Sequence, residues 1–241
     1  MKYFLLTIFM LLGSFLLAQD NYIALSTGYG KYSMNEMKVY QKEVAESPLS
    51  AIHPKMVVRF PGTMNYSIAL GRQLNEQQRI GFEYSFQNTA GRNSLIDYSG
   101  AYTFDMLLQS HTLGFHYNQR LEDGKIGPVI QLQIGYNFNV LQLKETLDLY
   151  DEQVFDEKVI FVNSSIFIEP MLGAFYKFNQ HLSMDLLFGY FLSTKPLFIS
   201  VDDPNAHLAG PFGAKVKADW SGIRVAVSLY FKIPKKKAKT Q

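Results

Sequence analysis

Between Ile130 and Val140 every even position is large and apolar, and every odd one is polar or glycine. Ile130, Leu132, Ile134, Tyr136, Phe138 and Val140 alternate with Gln131, Gln133, Gly135, Asn137 and Asn139. A period of two places the two sets on opposite faces of one strand. A water-soluble sandwich makes the same alternation, so the pattern alone leaves two folds open. Its length and recurrence choose between them. It matches a tilted membrane-crossing strand of ~9–11 residues, and similar stretches occur seven more times.

Taken in order, the first strand is expected over Asn21–Tyr32, with Ile23, Leu25, Thr27 and Tyr29 on one face. The second, Asn65–Leu74, points Tyr66, Ile68 and Leu70 outward. The third carries Ile80, Phe82, Tyr84 and Phe86, and the fourth His111, Leu113, Phe115 and Tyr117. The fifth is the stretch above, with the alternation slipping at Val140-Leu141. The sixth spans Val162–Phe178 and has Pro170 on its outward face, which predicts a bulge or kink. The seventh places Leu182, Met184, Leu186, Phe188, Tyr190 and Leu192 outward. The eighth is Trp220–Ile233, with Ile223, Val225, Val227, Leu229 and Phe231 outward.

The links alternate long and short. Residues 33–63, 88–107, the acidic stretch after Leu141 and residues 195–218 are long. Asn75-Glu76-Gln77, Glu122-Asp123-Gly124-Lys125 and Asn179-Gln180-His181 are short, the second with an Asp-Gly hairpin signal. A soluble sandwich has no reason to segregate loop lengths by rim. An up-and-down membrane barrel does, with extracellular loops on one rim and periplasmic turns on the other. The expected fold is therefore all-β: an eight-stranded antiparallel up-and-down transmembrane β-barrel, both termini periplasmic. In the first long link Ser33-Met34-Asn35-Glu36 has capping-box spacing, and Met37, Tyr40 and Val44 fall at helical intervals, so a short helix is expected there.

The ends fit an envelope protein. Lys2 precedes an apolar run from Phe4 to Leu12, and Ala18 precedes the polar Gln19-Asp20, the pattern of a secretory signal peptide over residues 1–18 cut after Ala18. Residues 19–233 form the barrel, and 234–241, Pro-Lys-Lys-Lys-Ala-Lys-Thr-Gln, a basic periplasmic tail. The chain has no cysteine, so a lipoprotein anchor and a disulfide framework are both excluded. A formal charge of +2 gives no case for a nucleic-acid partner. After the leader no apolar run is long enough for a spanning helix. In lipid a closed barrel is then the structure that pairs every backbone group.

At its last strand, Asp219-Trp220-Ser221-Gly222-Ile223-Arg224-Val225-Ala226-Val227-Ser228-Leu229-Tyr230-Phe231, the chain resembles the small outer-membrane β-barrel families of the OmpA/OmpX-like and OmpW-like type. The resemblance covers Asn21–Ile233. It implies that Tyr230 and Phe231 form the closing aromatic signal read by the barrel-assembly machinery. The chain departs from that pattern by running eight residues past Ile233. Outer-membrane lipid and lipopolysaccharide are the other implied partners. No active site carries over.

Inward positions hold Glu83, His116, Glu169, Lys177, Asp185, Arg224 and Lys232. An eight-stranded barrel is only just wide enough for side chains to fill, and charges there must be paired or solvated. A salt-bridged polar plug is the expectation and a gated small-solute path the rival. Equal heights along their strands predict that Arg224 pairs with Glu169, with Glu83 or Asp185 as second partner.

Enzymatic readings are weaker. His181-Leu182-Ser183 has His-x-Ser spacing, but no acid stands where it would orient the base. His111 faces lipid, and His53 and His207 are isolated in loops. The acidic residues Asp148, Asp151, Glu152, Asp156 and Glu157 are of a type that holds divalent cations, without EF-hand spacing, so a solvated loop is expected. Lys235–Lys239 reads as a solvated tail rather than a lipid-headgroup site. No catalytic residue, cofactor or metal is expected. A non-enzymatic envelope protein acting through its extracellular loops is the leading expectation, ahead of a narrow channel for small or apolar solutes and a lipid A-modifying enzyme.

Overall fold

The alternating stretches form strands because each face meets a different solvent, and the ring that they make has no free edge within its wall. The computed structural model describes residues 21–47, 53–150 and 152–233. The expected leader, its cleavage point after Ala18 and the basic tail with Lys235–Lys239 lie outside the described residues. Ten strands and one helix are described: β1 (Asn21–Tyr32), α1 (Asn35–Glu46), β2 (Lys55–Arg59), β3 (Thr63–Gln73), β4 (Gln78–Asp97), β5 (Gly100–Arg120), β6 (Ile126–Leu149), β7 (Glu152–Lys177), β8 (Leu182–Ser193), β9 (Ile199–Ser200) and β10 (Gly222–Lys232).

Eight of these close a ring in the order β1, β3, β4, β5, β6, β7, β8, β10, and β10 returns to β1 through Tyr22↔Lys232 to Tyr32↔Gly222. Every pairing in the ring is antiparallel. The fold is an eight-stranded up-and-down β-barrel, and closure removes the edges that an open sheet would leave unpaired. The short strands β2 and β9 lie outside the ring and pair with β4 and β7.

The sandwich alternative fails on which face is buried. Along β6 the exposed residues are Ile130, Leu132, Ile134, Tyr136 and Phe138, and the buried ones are Gln131, Gln133, Asn137 and Asn139. Leu113 and Phe115, Ile68 and Leu70, Phe188 and Leu192, and Ile223 and Val225 continue the exposed apolar band around the other strands. A monomer in water does not expose a belt of this extent; a barrel in a bilayer does.

The short turns are those expected. Asn75 Oδ1 accepts the amides of Gln77 and Gln78 at 2.9 and 2.8 Å, and Asn179 Oδ1 those of His181 and Leu182 at 2.8 and 2.9 Å. Both are Asx-turns. The start of β1 and the end of β10 both lie at this rim, where the Ile233 amide donates to the Asn21 carbonyl at 2.8 Å.

The opposite rim departs from expectation. Residues 88–107 are not a link: β4 and β5 stay paired out to Asp97↔Gly100. The acidic stretch after Leu141 is likewise the upper part of the β6–β7 hairpin, paired out to Leu149↔Glu152. β3 leaves β4 at Asn65↔Gln87, so β4 runs on for ten residues, roughly 30 Å at strand rise. β4, β5, β6 and β7 thus project beyond the barrel as one sheet, a fin. The alternation vanished there because the outward face no longer meets lipid, while the backbone ladder continues regardless of which side chains it carries.

The slip read at Val140-Leu141 is not a slip. Val140↔Val162 and Leu141↔Phe161 keep the register, and Leu141 points inward because the lumen itself turns apolar at that height. The bulge expected at Pro170 is also absent. Ile168↔Leu192 and Met171↔Gly189 keep one register across it, and only the intervening pairs drop out of the β7–β8 ladder. Pro170 lacks a donor, so the local ladder thins without shifting.

The helix expected from Met37, Tyr40 and Val44 is present as α1, with Met37, Tyr40, Gln41 and Ala45 buried. Its capping box is not. Met34, at φ 47, takes the N-cap with no side-chain bond, and Glu36 accepts the Lys217 amide at 3.0 Å instead. Gln41 ties the helix to the fin's base, donating to the carbonyl of Val58 at 2.6 Å and to Asn93 Oδ1 at 3.0 Å, while Asn93 Nδ2 donates back to the Gln41 carbonyl at 2.9 Å.

Candidate functional site

The lumen holds three tiers. Small residues on β3 and β4 make room for the lowest one. A Cβ on Gly71 would come within 2.4 Å of the Tyr22 hydroxyl, and one on Gly81 within 2.7 Å, so Tyr22 lies flat along the inner wall over β3 and β4 only because both are glycine.

Arg79, Arg120 and Asp185 form the core of this tier, close to the short-turn rim. Arg79 Nη1 lies 3.4 Å from Asp185 Oδ2, and Arg120 Nη2 lies 3.6 Å from Oδ1. Both guanidiniums donate to Ser183 Oγ, at 2.9 and 2.8 Å. Asn118 Nδ2 adds a bond to Asp185 at 3.1 Å. The Arg79 guanidinium also lies 4.2 Å from the centroid of the Tyr230 ring, and that of Arg120 4.4 Å from Phe175.

The middle tier is built on Arg224, whose Nη1 donates to Glu169 Oε2 at 2.8 Å. Their side chains are 5% and 1% exposed, a charge-assisted bond shut away from solvent. Arg224 also lies against Phe191, at 5.3 Å. His116 joins the two lower tiers, with Nε2 2.6 Å from the Tyr22 hydroxyl and Nδ1 3.7 Å from Glu83 Oε2. Between Glu83, Glu169 and Arg224 remains a cavity of about 10 Å³, no more than a single water needs.

The top tier is apolar. Phe104, Met106, Leu108, Leu141 and Leu143 point inward from β5 and β6 against Met34, Met37 and Tyr40 of the α1 segment. Phe198, Leu208, Val216 and Trp220 from the 194–221 connection pack into the same cluster. Loop and helix therefore sit in the mouth rather than above it.

Of the residues picked from sequence, Glu83, His116, Glu169 and Arg224 come together in the middle of the bore. Asp185 does not serve Arg224. β10 and β8 pair Arg224 with Gly189 and Ser228 with Asp185, which sets the aspartate four residues lower, beside Arg79 and Arg120. Lys177 is not in the buried network either: it lines the short-turn mouth, with its Nζ 5.8 Å from the Phe175 ring centroid. Arg79 and Arg120 were missed. Each continues the inward phase of its strand just past the end assigned from sequence, so carrying the alternation of Gly81 and Glu83 back, and of His116 and Asn118 onward, finds both.

The enzyme candidates do not assemble. Ser183 is buried as the acceptor of two guanidiniums, while His181 stands exposed on the turn, its Nε2 3.1 Å from Gln180 Nε2. His111 Nδ1 meets the Tyr84 hydroxyl at 2.8 Å on the outward face. Asp156 is paired with Lys144 at 3.3 Å. Among the described residues no group of three or more His, Asp or Glu is arranged to hold a metal.

With the bore filled in this way, the refolded protein is expected to give no discrete openings in planar bilayers. Stepwise conductance would mean that the top tier moves aside as a unit.

No protein-family model matches this sequence, and no curated protein matches it either. Solved structures of similar architecture include Neisserial surface protein A, at 12% identity over 90% of this chain and 100% of that one, with a TM-score of 0.43. Outer membrane protein OprG from Pseudomonas aeruginosa is similar at 14% identity, over 90% of this chain and 97% of that one, with a TM-score of 0.44. Ail, the attachment invasion locus protein of Yersinia pestis, is similar at 9% identity, over 89% and 98%, with a TM-score of 0.40. The closed ring and its apolar belt carry the fold assignment.

Proposed function

We propose that this is a non-enzymatic outer-membrane protein that binds a macromolecular partner through its fin. In this reading the short-turn rim and both termini face the periplasm and the fin faces outward. The observation that carries the reading is an open strand edge. Beyond the barrel, β7 is paired with β6 on one side, and among the described residues its other side meets the Val201 amide at the Ile160 carbonyl, β9 at Phe161 and Val162, and β8 from Phe167. Among the described residues no strand covers the edge of Glu152–Val159.

Such an edge offers unpaired N–H and C=O groups to an extended segment of another chain. Glu152, Asp156 and Glu157 against Lys158 make it acidic, which discourages pairing with a second copy and favours a basic strand. Nearby, Ile96, Tyr98, Tyr150 and Val154 are exposed at the fin's end and supply apolar contacts to the same partner. Binding on loops and overhangs held by a rigid scaffold is the common arrangement.

The test uses cells displaying the full chain and an immobilised extended peptide of alternating lysine and valine. Glu152→Lys, Asp156→Lys and Glu157→Lys together are expected to cut retention about tenfold, ~1.4 kcal/mol, while leaving the unheated barrel band on a gel unchanged. Retention that survives the triple reversal would remove the fin edge from consideration.

A further inference from the structure

The charges of the bore balance overall but not tier by tier. In the middle tier one guanidinium, Arg224, serves the carboxylates Glu169 and Glu83. In the lowest tier two guanidiniums, Arg79 and Arg120, share the single carboxylate of Asp185. The positive surplus stands at the floor of an open vestibule of about 570 Å³ on the short-turn side. Buried charge without a counter-charge is costly, so this floor is matched to an anion that enters from the mouth.

Four further features agree. Around the vestibule Arg79, Arg120, Lys125, Lys177 and Lys232 outnumber Glu76 and Asp123. The two floor guanidiniums are already positioned, by Ser183 and by the rings of Tyr230 and Phe175. Arg120 Nε is buried and has no hydrogen-bond partner among the described residues, so the protein alone leaves this guanidinium incompletely satisfied, and a planar guanidinium fork suits tetrahedral oxyanions. The volume lies within the range of small-molecule sites.

We propose that the short-turn vestibule is a binding site for a phosphate group, seated on Arg79 and Arg120 and screened at the rim by Lys125 and Lys177. The group belongs either to a small periplasmic solute or to an inner-leaflet phospholipid headgroup. Their shared chemistry is a compact dianion or monoanion with at least two free oxygens. The site is separate from the fin and does not depend on what the fin binds.

The experiment titrates inorganic phosphate into the full chain, refolded in an uncharged maltoside detergent, by calorimetry at fixed ionic strength. Saturable one-to-one binding is expected, with affinity lowered about tenfold by Lys125→Gln with Lys177→Gln. Both lysines lie at the mouth, so this variant keeps the barrel's gel mobility. Arg120→Lys, which keeps the charge and loses the fork, is expected to weaken phosphate more than it weakens chloride. Binding that is absent, that chloride matches, or that ignores the rim pair would overturn the site. Repeating the titration in micelles doped with lysophosphatidylglycerol assigns the source. Competition supports the site with a lipid headgroup as its ligand, and undiminished phosphate binding supports it with a soluble one.

Discussion

Arg224→Ala is expected to lower the stability of the refolded barrel by about 3–5 kcal/mol, the cost of leaving a buried carboxylate without its partner. The loss reads as a lower urea midpoint in the conversion from the fast-running folded band to the slow unfolded one. Glu169 has nothing to replace the lost bond, since its Oε1 already has no partner among the described residues. Glu83 also acts on Arg224 electrostatically, so the substitution leaves two carboxylates facing one bore. Glu169→Ala is therefore the milder change, because Arg224 keeps Glu83. The double variant is expected to cost less than the two single changes added together, a coupling that a double-mutant cycle isolates. Strict additivity would show that the 2.8 Å bond contributes nothing beyond packing.

The belt, the ring and the height of this pair were legible because lipid imposes a period of two on every strand that crosses it. Where that pressure stops, the legibility stops. Asn88 to Leu107 reads as a polar link, yet it is strand almost throughout, because the ladder beyond the bilayer needs no particular side chains. Leu141 and Leu143 look like a broken alternation for a related reason: where the α1 segment packs into the mouth the apolar face turns inward, and Gln142 and Lys144 take the outward positions. Nothing within β6 signals that a helix a hundred residues earlier lies against it.

The inner network was legible in phase but not in partnership. Alternation identifies Asp185 as inward, and strand register decides which cation it meets. Counting upward from assumed strand ends put it within reach of Arg224. The observed pairing of Ser228 with Asp185 puts it lower. Arg79 and Arg120 escaped for an equally local cause, since each lies at a strand end where the apolar partner that marks the phase gives way to a turn. Charges near rims carry the least sequence signal, and here they hold the floor of the vestibule.

Trp220→Ala is expected to cost about 3–5 kcal/mol, the range for removing a large buried ring, but the loss should fall on the mouth rather than on the whole barrel. Trp220 is fully buried and packs edge-on to Tyr32, with centroids 5.0 Å apart at 75°. It sits just ahead of β10, where the Asp219 carbonyl accepts the Met34 amide at 3.1 Å and the Ser221 carbonyl the Ser33 amide at 2.9 Å. Those two bonds hold the start of the α1 segment against the barrel, and the ring fills the space beneath them. Of the β1–β10 ladder only its upper end, Tyr32 opposite Gly222, touches this packing, and the lipid-facing pairs further down β1, β3 and β10 lie below it. Local opening at a fraction of the global stability is the usual behaviour of such a unit. Hydrogen exchange should accordingly rise steeply at Ser33, Met34 and Lys38, and external protease should cut within 194–221, while the unheated gel mobility stays folded. Trp220→Phe, which keeps most of the volume, should recover most of the protection. If exchange rises equally along β6 and β7, the cap and the barrel unfold as one body, and the apolar tier is a structural part of the wall rather than a lid fitted into it.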